Sequence, residues 1–330
     1  MGNLTFITLL AGAASALLFT SATTGALFAL PLFYLTPLPL FLVGLGWGTT
    51  SAAIAGLAAS VLAALALGGL VGLGYLVTFA IPAIVLTYLA LLCRQPDGQG
   101  ARAAGSDGQA RLEWYPPGKL IGWITVMAGV LSALAIPFLG LDAETYYANL
   151  QDIMENILLK DLEAAAPEGF DTQQMSELIA FLARALPAIS AAIWMLAMVF
   201  NMWTAGRVIA YAGHPLRPWP DISEITYPRE FAIGFVASLF ASLLPGIIGI
   251  FAIGFAGAFV IAYVLLGLVV IHVLSRLSPF RPFILASVYI GLVFFGWIAL
   301  IVATIGMAEP IFNLRERFYT KRPPKAPDAE

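Results

Sequence analysis

From Met1 through Cys93 the chain carries no Asp, Glu, Lys or Arg, and the first charge is Arg94. Soluble domains have about a quarter of their residues charged, so a tract of this length excludes a water-facing globule and requires lipid around it. At about 20 residues per crossing it is long enough for four helices, expected near residues 4–22, 26–46, 49–68 and 71–92. Gly46-Trp47-Gly48 and Gly68-Gly69 supply the turn signals between the later ones. Further uncharged runs lie at 120–141, 185–206, 231–275 and 282–308. The run 231–275 is too long for one crossing and predicts a hairpin turn between Pro245-Gly246 and Gly257.

These eight or nine segments read as helices, because hydrocarbon offers no partner to an open strand edge and the alternation of a barrel strand is missing. The expected fold is an all-α polytopic transmembrane bundle. The apolar run at the N-terminus has no basic residue before it and is expected to be a retained span rather than a cleaved signal. Overall, 60% of residues are hydrophobic and 11% charged, with a net charge of -3. That balance lacks a nucleic-acid-binding footprint. One cysteine and two histidines provide neither a disulfide nor a zinc cluster, and no metal or cofactor is expected.

Charge asymmetry divides the chain into an uncharged module at 1–92, a basic Gly/Ala-rich loop at 93–118, further spans across 119–307, and a basic Pro-rich tail at 308–330. Arg94, Arg102, Arg111 and Lys119 in the first loop, and Arg207, Arg217 and Arg229 after the sixth segment, place both loops and the N-terminus in the cytoplasm. Between them, residues 142–177 hold nine acidic residues and one lysine, so this insertion is expected outside. Leu150, Ile153, Met154, Ile157, Leu158 and Leu162 recur there at helical spacing opposite Asp152, Glu155, Asn156 and Glu163. That is an amphipathic helix, read as a lid on the bundle or as a solvated connector. A second helix is expected from Asp171, capped by Asp171 and Gln174, running through Pro187. The C-terminal end holds a conflict. Arg276 and Arg281 favour the cytoplasm, as do Arg315, Arg317, Lys321, Arg322 and Lys325 in the tail, and one helix at 282–308 cannot place both there.

Small residues recur every fourth position at Ala52, Gly56, Ser60, Ala64 and Gly68, at Thr8, Gly12, Ala16 and Thr20 beside Ala11 and Ser15, and at Gly254, Ala258 and Ala262. Such stripes allow close helix approach in lipid, either within the bundle or to another membrane protein. Pro31, Pro37 and Pro39 interrupt the second segment. One reading is a broken helix beside a cavity lined by Phe33, Tyr34 and Thr36; the other is a proline kink without a ligand. Trp194, Asn201 and His272 complete the candidate ligand-binding set, each with a plainer role as belt aromatic, interhelical amide or interfacial histidine. The nucleotide-binding, zinc-protease and nucleophile-elbow motifs are absent, so the chain is expected not to be an enzyme.

Leu30-Pro31, Pro37-x-Pro39, the run Leu42 to Gly48, and Gly56 resemble the YybS-like family of uncharacterised bacterial membrane proteins, a domain of unknown function (DUF2232). Tyr263 to His272 is similar to that family's penultimate helix and Ile305 to Arg317 to its closing segment, with Glu309 or Asn313 where an Asp is expected. The resemblance implies the bacterial inner membrane. The family is in turn similar to the substrate-binding S components of energy-coupling-factor transporters. That likeness implies a docking face for coupling ATPase subunits at Ala11, Gly12, Ser15 and Ala16, and a gate at residues 24–39. The extra C-terminal spans and the acidic insertion depart from that pattern. Two functions follow as expectations: a non-catalytic subunit that binds a small molecule and relies on a separate energising partner, or a structural or assembly protein of the cell envelope with no ligand.

Overall fold

In hydrocarbon each backbone amide must find its partner within its own segment, and the computed structural model does this almost wholly with helices. It describes residues 2–25, 28–95, 112–163 and 172–320. Arg102, Arg111, Asp171, Lys321, Arg322 and Lys325 lie outside the described residues. The helices are α1 (Gly2–Thr20), α2 (Ala29–Tyr34), α3 (Leu38–Trp47), α4 (Thr49–Leu67), α5 (Gly69–Tyr75) and α6 (Ile81–Leu91). They continue with α7 (Pro117–Leu134), α8 (Ile136–Leu139), α9 (Ala143–Glu163), α10 (Thr172–Tyr211), α11 (Arg229–Ala241), α12 (Ile247–Leu274), α13 (Arg281–Phe294), α14 (Ile298–Phe312) and α15 (Leu314–Thr320). Cys93–Arg94 and Glu113–Trp114 pair as a short antiparallel ribbon across the first basic loop.

Among the described residues seven helical stretches are long and apolar enough to cross a membrane, from Leu4–Thr24 to Ile247–Leu274, and α13 and α14 are shorter apolar helices. The chain is an all-α membrane bundle. Its early breaks fall at the glycines and prolines: Gly48 (φ 101°) separates α3 from α4, Gly68 (φ 103°) separates α4 from α5, and the turn before Leu38 separates α2 from α3. The stripe on α4 is internal. Ser51, Ala55, Gly56, Ala59, Ser60 and Ala63 are buried, with α1, α3, α5 and α6 packed around them.

Two expectations need correction. The turn in the run 231–275 does lie at Pro245-Gly246, with Gly246 at φ 79°, but Gly257 is inside α12. A Cβ at Gly257 would come within 2.5 Å of the Ala188 carbonyl, so this glycine serves close packing of α10 on α12 and not a turn. The run 282–308 is not one helix either; it breaks between Phe294 and Ile298, near Gly296. Arg315 hydrogen-bonds the Ser223 carbonyl, and Ser223 lines the same cavity as Arg276 and Arg281, so α15 begins at the same end of the bundle as the α12–α13 turn, and the break in the run removes the single-helix premise of the conflict over these arginines. Arg217 lies among the same group of connections, bonded to the carbonyls of Ala90 and Tyr115.

At about 1.5 Å per residue, the 40 residues of α10 span roughly 60 Å, twice the hydrocarbon thickness. α9 packs against its N-terminal half. Tyr146 and Leu150 of α9 are buried with Ile136, Ala183 and Ile250 in a small apolar cluster separate from the main core. Tyr146, Leu150 and Met154 thus dock the first half of α9 on the bundle, while Ile153 of the same face is exposed.

Candidate functional site

A helix broken by proline frees carbonyls that must be satisfied at membrane depth. At the α2–α3 break, Asn201 donates through Nδ2 to the Tyr34 carbonyl (2.7 Å) and to Ala197 of its own helix (2.7 Å). The Thr36 hydroxyl donates to Phe33 O (2.6 Å), and Ser15 Oγ donates to Thr36 O (2.5 Å) while lying 2.6 Å from the Tyr75 hydroxyl. Phe33 stacks against Phe19 and Phe79 with ring centroids 5.7 and 5.4 Å apart. Phe33, Tyr34, Thr36 and Asn201 thus do come together, around a plug of aromatic side chains. Asn201, Thr36 and Ser15 satisfy the carbonyls of Tyr34, Phe33 and Thr36 at the break. Asn201 Oδ1 remains a buried acceptor without a partner.

The first-helix face is likewise internal. A Cβ at Gly12 would lie 2.7 Å from the Ala55 carbonyl of α4, Ser15 and Ala16 are buried, and Ala11 packs on the core. These four residues hold α1 against the bundle; they are not presented to another protein.

Trp194 marks an open site. A cavity of about 290 Å3 lies between α7, α10 and the underside of α9, lined among others by Thr78, Ser132, Tyr146, Ser190 and Trp194. Local structure explains its polar groups. Leu76–Ala80 form a π-turn between α5 and α6, an irregularity that shifts the carbonyl ladder, and Thr78 O accepts the Trp194 indole N–H (3.1 Å). Pro187 lacks the amide hydrogen that would continue the ladder, and its own carbonyl accepts from the hydroxyls of Ser132 (2.9 Å) and Ser190 (3.1 Å). Among the cavity's lining residues none is charged. Its roof is held by Asn149, which donates to Leu139 O (2.6 Å), and by Asp142, whose carboxylate caps α9 by accepting the Thr145 amide (2.8 Å). That backbone hydrogen bond holds the Asp142 carboxyl below its ordinary value. Burial raises the phenols of Tyr146 and Tyr147.

His272 is elsewhere, in a cavity of about 590 Å3 at the basic end. Its Nδ1 lies 2.8 Å from Leu268 O and its Nε2 3.5 Å from the Tyr289 hydroxyl.

Two buried arginines were not singled out from the sequence as site residues. Arg217 reaches the carbonyls of Ala90 and Tyr115, both at 2.9 Å, which joins the end of α6 to the start of α7. Burial lowers its pKa, from a value high enough that the guanidinium stays charged. Arg315 donates Nε to Glu309 Oε1 (2.6 Å), and its two terminal nitrogens to Ser223 O (2.6 Å) and Ile225 O (2.9 Å). Both arginines lie in basic segments that read as interfacial, and only the distance to the carbonyls they hold reveals their role.

A family model described as "Predicted membrane protein (DUF2232)" matches residues 118–309. No curated protein and no solved structure gives a significant match. The match spans more than half of the chain, from the first turn of α7 to Glu309 in α14, and the chain belongs to this family.

Proposed function

We propose that this DUF2232 member is a non-catalytic membrane subunit that binds a small, uncharged organic molecule beneath α9 and passes it to a separate energising protein. The observation that carries this reading is the 290 Å3 cavity roofed by a docked amphipathic helix. A site of that size lies at the lower edge of small-molecule pockets, which combine apolar walls with a few placed polar groups. Here the hydroxyls of Ser132, Ser190 and Tyr146 supply the polarity, and α9 closes the site from one side. No general base stands beside a nucleophile in this lining, which favours binding over turnover. The segregation of charge supports the orientation: the end bearing Arg217, Arg276 and Arg315 faces the cytoplasm and the acidic helix faces outside. The likeness of the family to S components supports the need for a coupling partner. Since Gly12 and Ser15 are internal, that partner would meet a different surface.

Native mass spectrometry of gently purified full-length protein tests the reading. The expected result is a stoichiometric small-molecule adduct, lost on Ser190→Leu, a change that fills the cavity from α10. A protein free of any adduct that co-purifies with an envelope protein, or an adduct indifferent to Ser190→Leu, would overturn it in favour of a structural or assembly role.

A further inference from the structure

Arg217, in the α10–α11 connection, is only 7% exposed. Its terminal nitrogens donate to Ala90 O and Tyr115 O, and the Trp114 ring lies 5.8 Å from its Cζ. Ala90 is in the last turn of α6, where a helix end carries partial negative charge. These partners are dipoles and a ring face; among the described residues no carboxylate pairs with Arg217. A guanidinium stays charged, and a buried charge is normally paired.

The Arg217 Nε–H is also buried without an acceptor among the described residues, and so is the indole Nε1–H of Trp219. Both side chains line one cavity of about 90 Å3 between α7, α10 and the connection. Packing fixes the indole. A Cβ on Gly206 of α10 would collide with Cε3, Cζ3 and Cη2 of Trp219, so the benzene edge rests on α10 and the opposite edge, with Nε1, is turned away from it.

The lining sets the chemistry of an occupant. Its nitrogen-bearing side chains, Arg217, Trp203 and Trp219, are all donors, and no carboxylate, amide or hydroxyl side chain accompanies them. Pro117 and Leu120 bring in the first turn of α7, the positive end of that helix's dipole. A cation would meet only repulsion here. A water could accept both hydrogens and would leave the charge unanswered. The volume is far below that of pockets for larger organic ligands and leaves room for a halide-sized ion.

We infer that Arg217 and Trp219 form a binding site for a small monovalent anion of the size of chloride, held by Nε–H of the one and Nε1–H of the other. The ion supplies the counter-charge and ties the α10–α11 connection to the start of α7. The site is separate from the cavity under α9 and does not depend on what binds there.

The chlorine NMR line width tests this on full-length protein in a non-ionic detergent, kept in sodium gluconate and titrated with sodium chloride at constant ionic strength. Gluconate, with six carbons, is too large for the cavity. Saturable excess broadening is expected, equivalent to one site per chain and relieved by bromide. Trp219→Phe removes one donor and keeps an aromatic ring against Gly206; it should weaken chloride roughly tenfold, the factor for one hydrogen bond to a charged partner. Arg217→Gln should abolish the saturable broadening, and Arg207→Gln, which alters an exposed cation outside the lining, should leave it unchanged. Should Arg217→Gln fail to fold, the Trp219→Phe protein decides. Broadening that never saturates, as when the cavity holds water only, affinity unchanged in Trp219→Phe, or an equal loss in Arg207→Gln would each overturn the inference.

Discussion

Removing the Arg315 side chain should uncouple the C-terminal helix from the α10–α11 connection, and the geometry sets the size of the effect. The guanidinium satisfies three acceptors at 2.6, 2.6 and 2.9 Å, namely Glu309, Ser223 O and Ile225 O, and the Glu309 and Arg315 side chains are only 9% and 10% exposed. Arg315→Ala strands a carboxylate and two carbonyls away from water. Breaking a buried pair from one side costs about 3–5 kcal/mol, or roughly two to four orders of magnitude in the local opening equilibrium. Glu309→Gln keeps an acceptor for Nε but not for the Arg315 backbone N–H, which Oε2 accepts at 3.2 Å, so it forfeits that bond and the charge assistance, and about 1–3 kcal/mol is expected. Much of the first penalty is the orphaned charge. Combining Arg315→Ala with Glu309→Gln should therefore recover at least tenfold of the protection lost in Arg315→Ala alone. Hydrogen exchange of the segment 221–226 in detergent reads this opening directly, without requiring reversible melting of the whole membrane protein. Less than a tenfold change in Arg315→Ala, or a double variant whose losses simply add, would refute the reasoning.

Other expectations follow from the same contacts. Gly306→Ala brings a Cβ within 2.1 Å of the Tyr263 carbonyl and forces α14 off α12; about 1–3 kcal/mol of overpacking should shorten the half-life of the folded protein at elevated temperature, while Gly296→Ala, with open space around it, should not. Gly12→Leu with Ala16→Leu should act on stability by parting α1 from α4, so a normal melting profile with loss of a partner complex would contradict the internal placement of that face. The cap on α9 predicts a pH dependence. Since folding depresses the Asp142 pKa from 3.8, its contribution is complete above that value and disappears as pH falls through the lower folded value. Asp142→Asn should abolish the acid-induced rise in protease sensitivity near residues 142–150. Asn201→Leu leaves the Tyr34 carbonyl unpaired at the α2–α3 break and should cost about 1–3 kcal/mol, measured as faster thermal inactivation, with the Phe33 cluster as the region whose exchange accelerates.

The sequence alone determined the solvent, the helical class and the places where helices stop. A tract without charge has few physical options, and Gly48, Gly68 and the Pro37–Pro39 pair act through their own backbone, so their effects were legible before any contact was known. The helical spacing of α9 was legible too, but it left a lid and a solvated connector equally open, and only the burial of Tyr146 and Leu150 shows where the helix meets the bundle. What the tertiary structure decided are quantities that depend on two distant segments at once. A glycine in an apolar run serves equally as a turn or as a point of contact, and only the Ala188 carbonyl, which a Cβ on Gly257 would meet at 2.5 Å, shows which. Phe33, Tyr34 and Thr36 read equally as a ligand lining or a proline kink, and only the structure shows Phe33 packed on Phe19 and Phe79 and Asn201 bonded to the Tyr34 carbonyl. Whether an arginine ends in water or on a buried carbonyl is likewise invisible along the chain. Arg217 and Arg315 sit in ordinary basic segments, and what gives them their structural part is burial against carbonyls 127 and 90 residues away along the chain, those of Ala90 and Ile225.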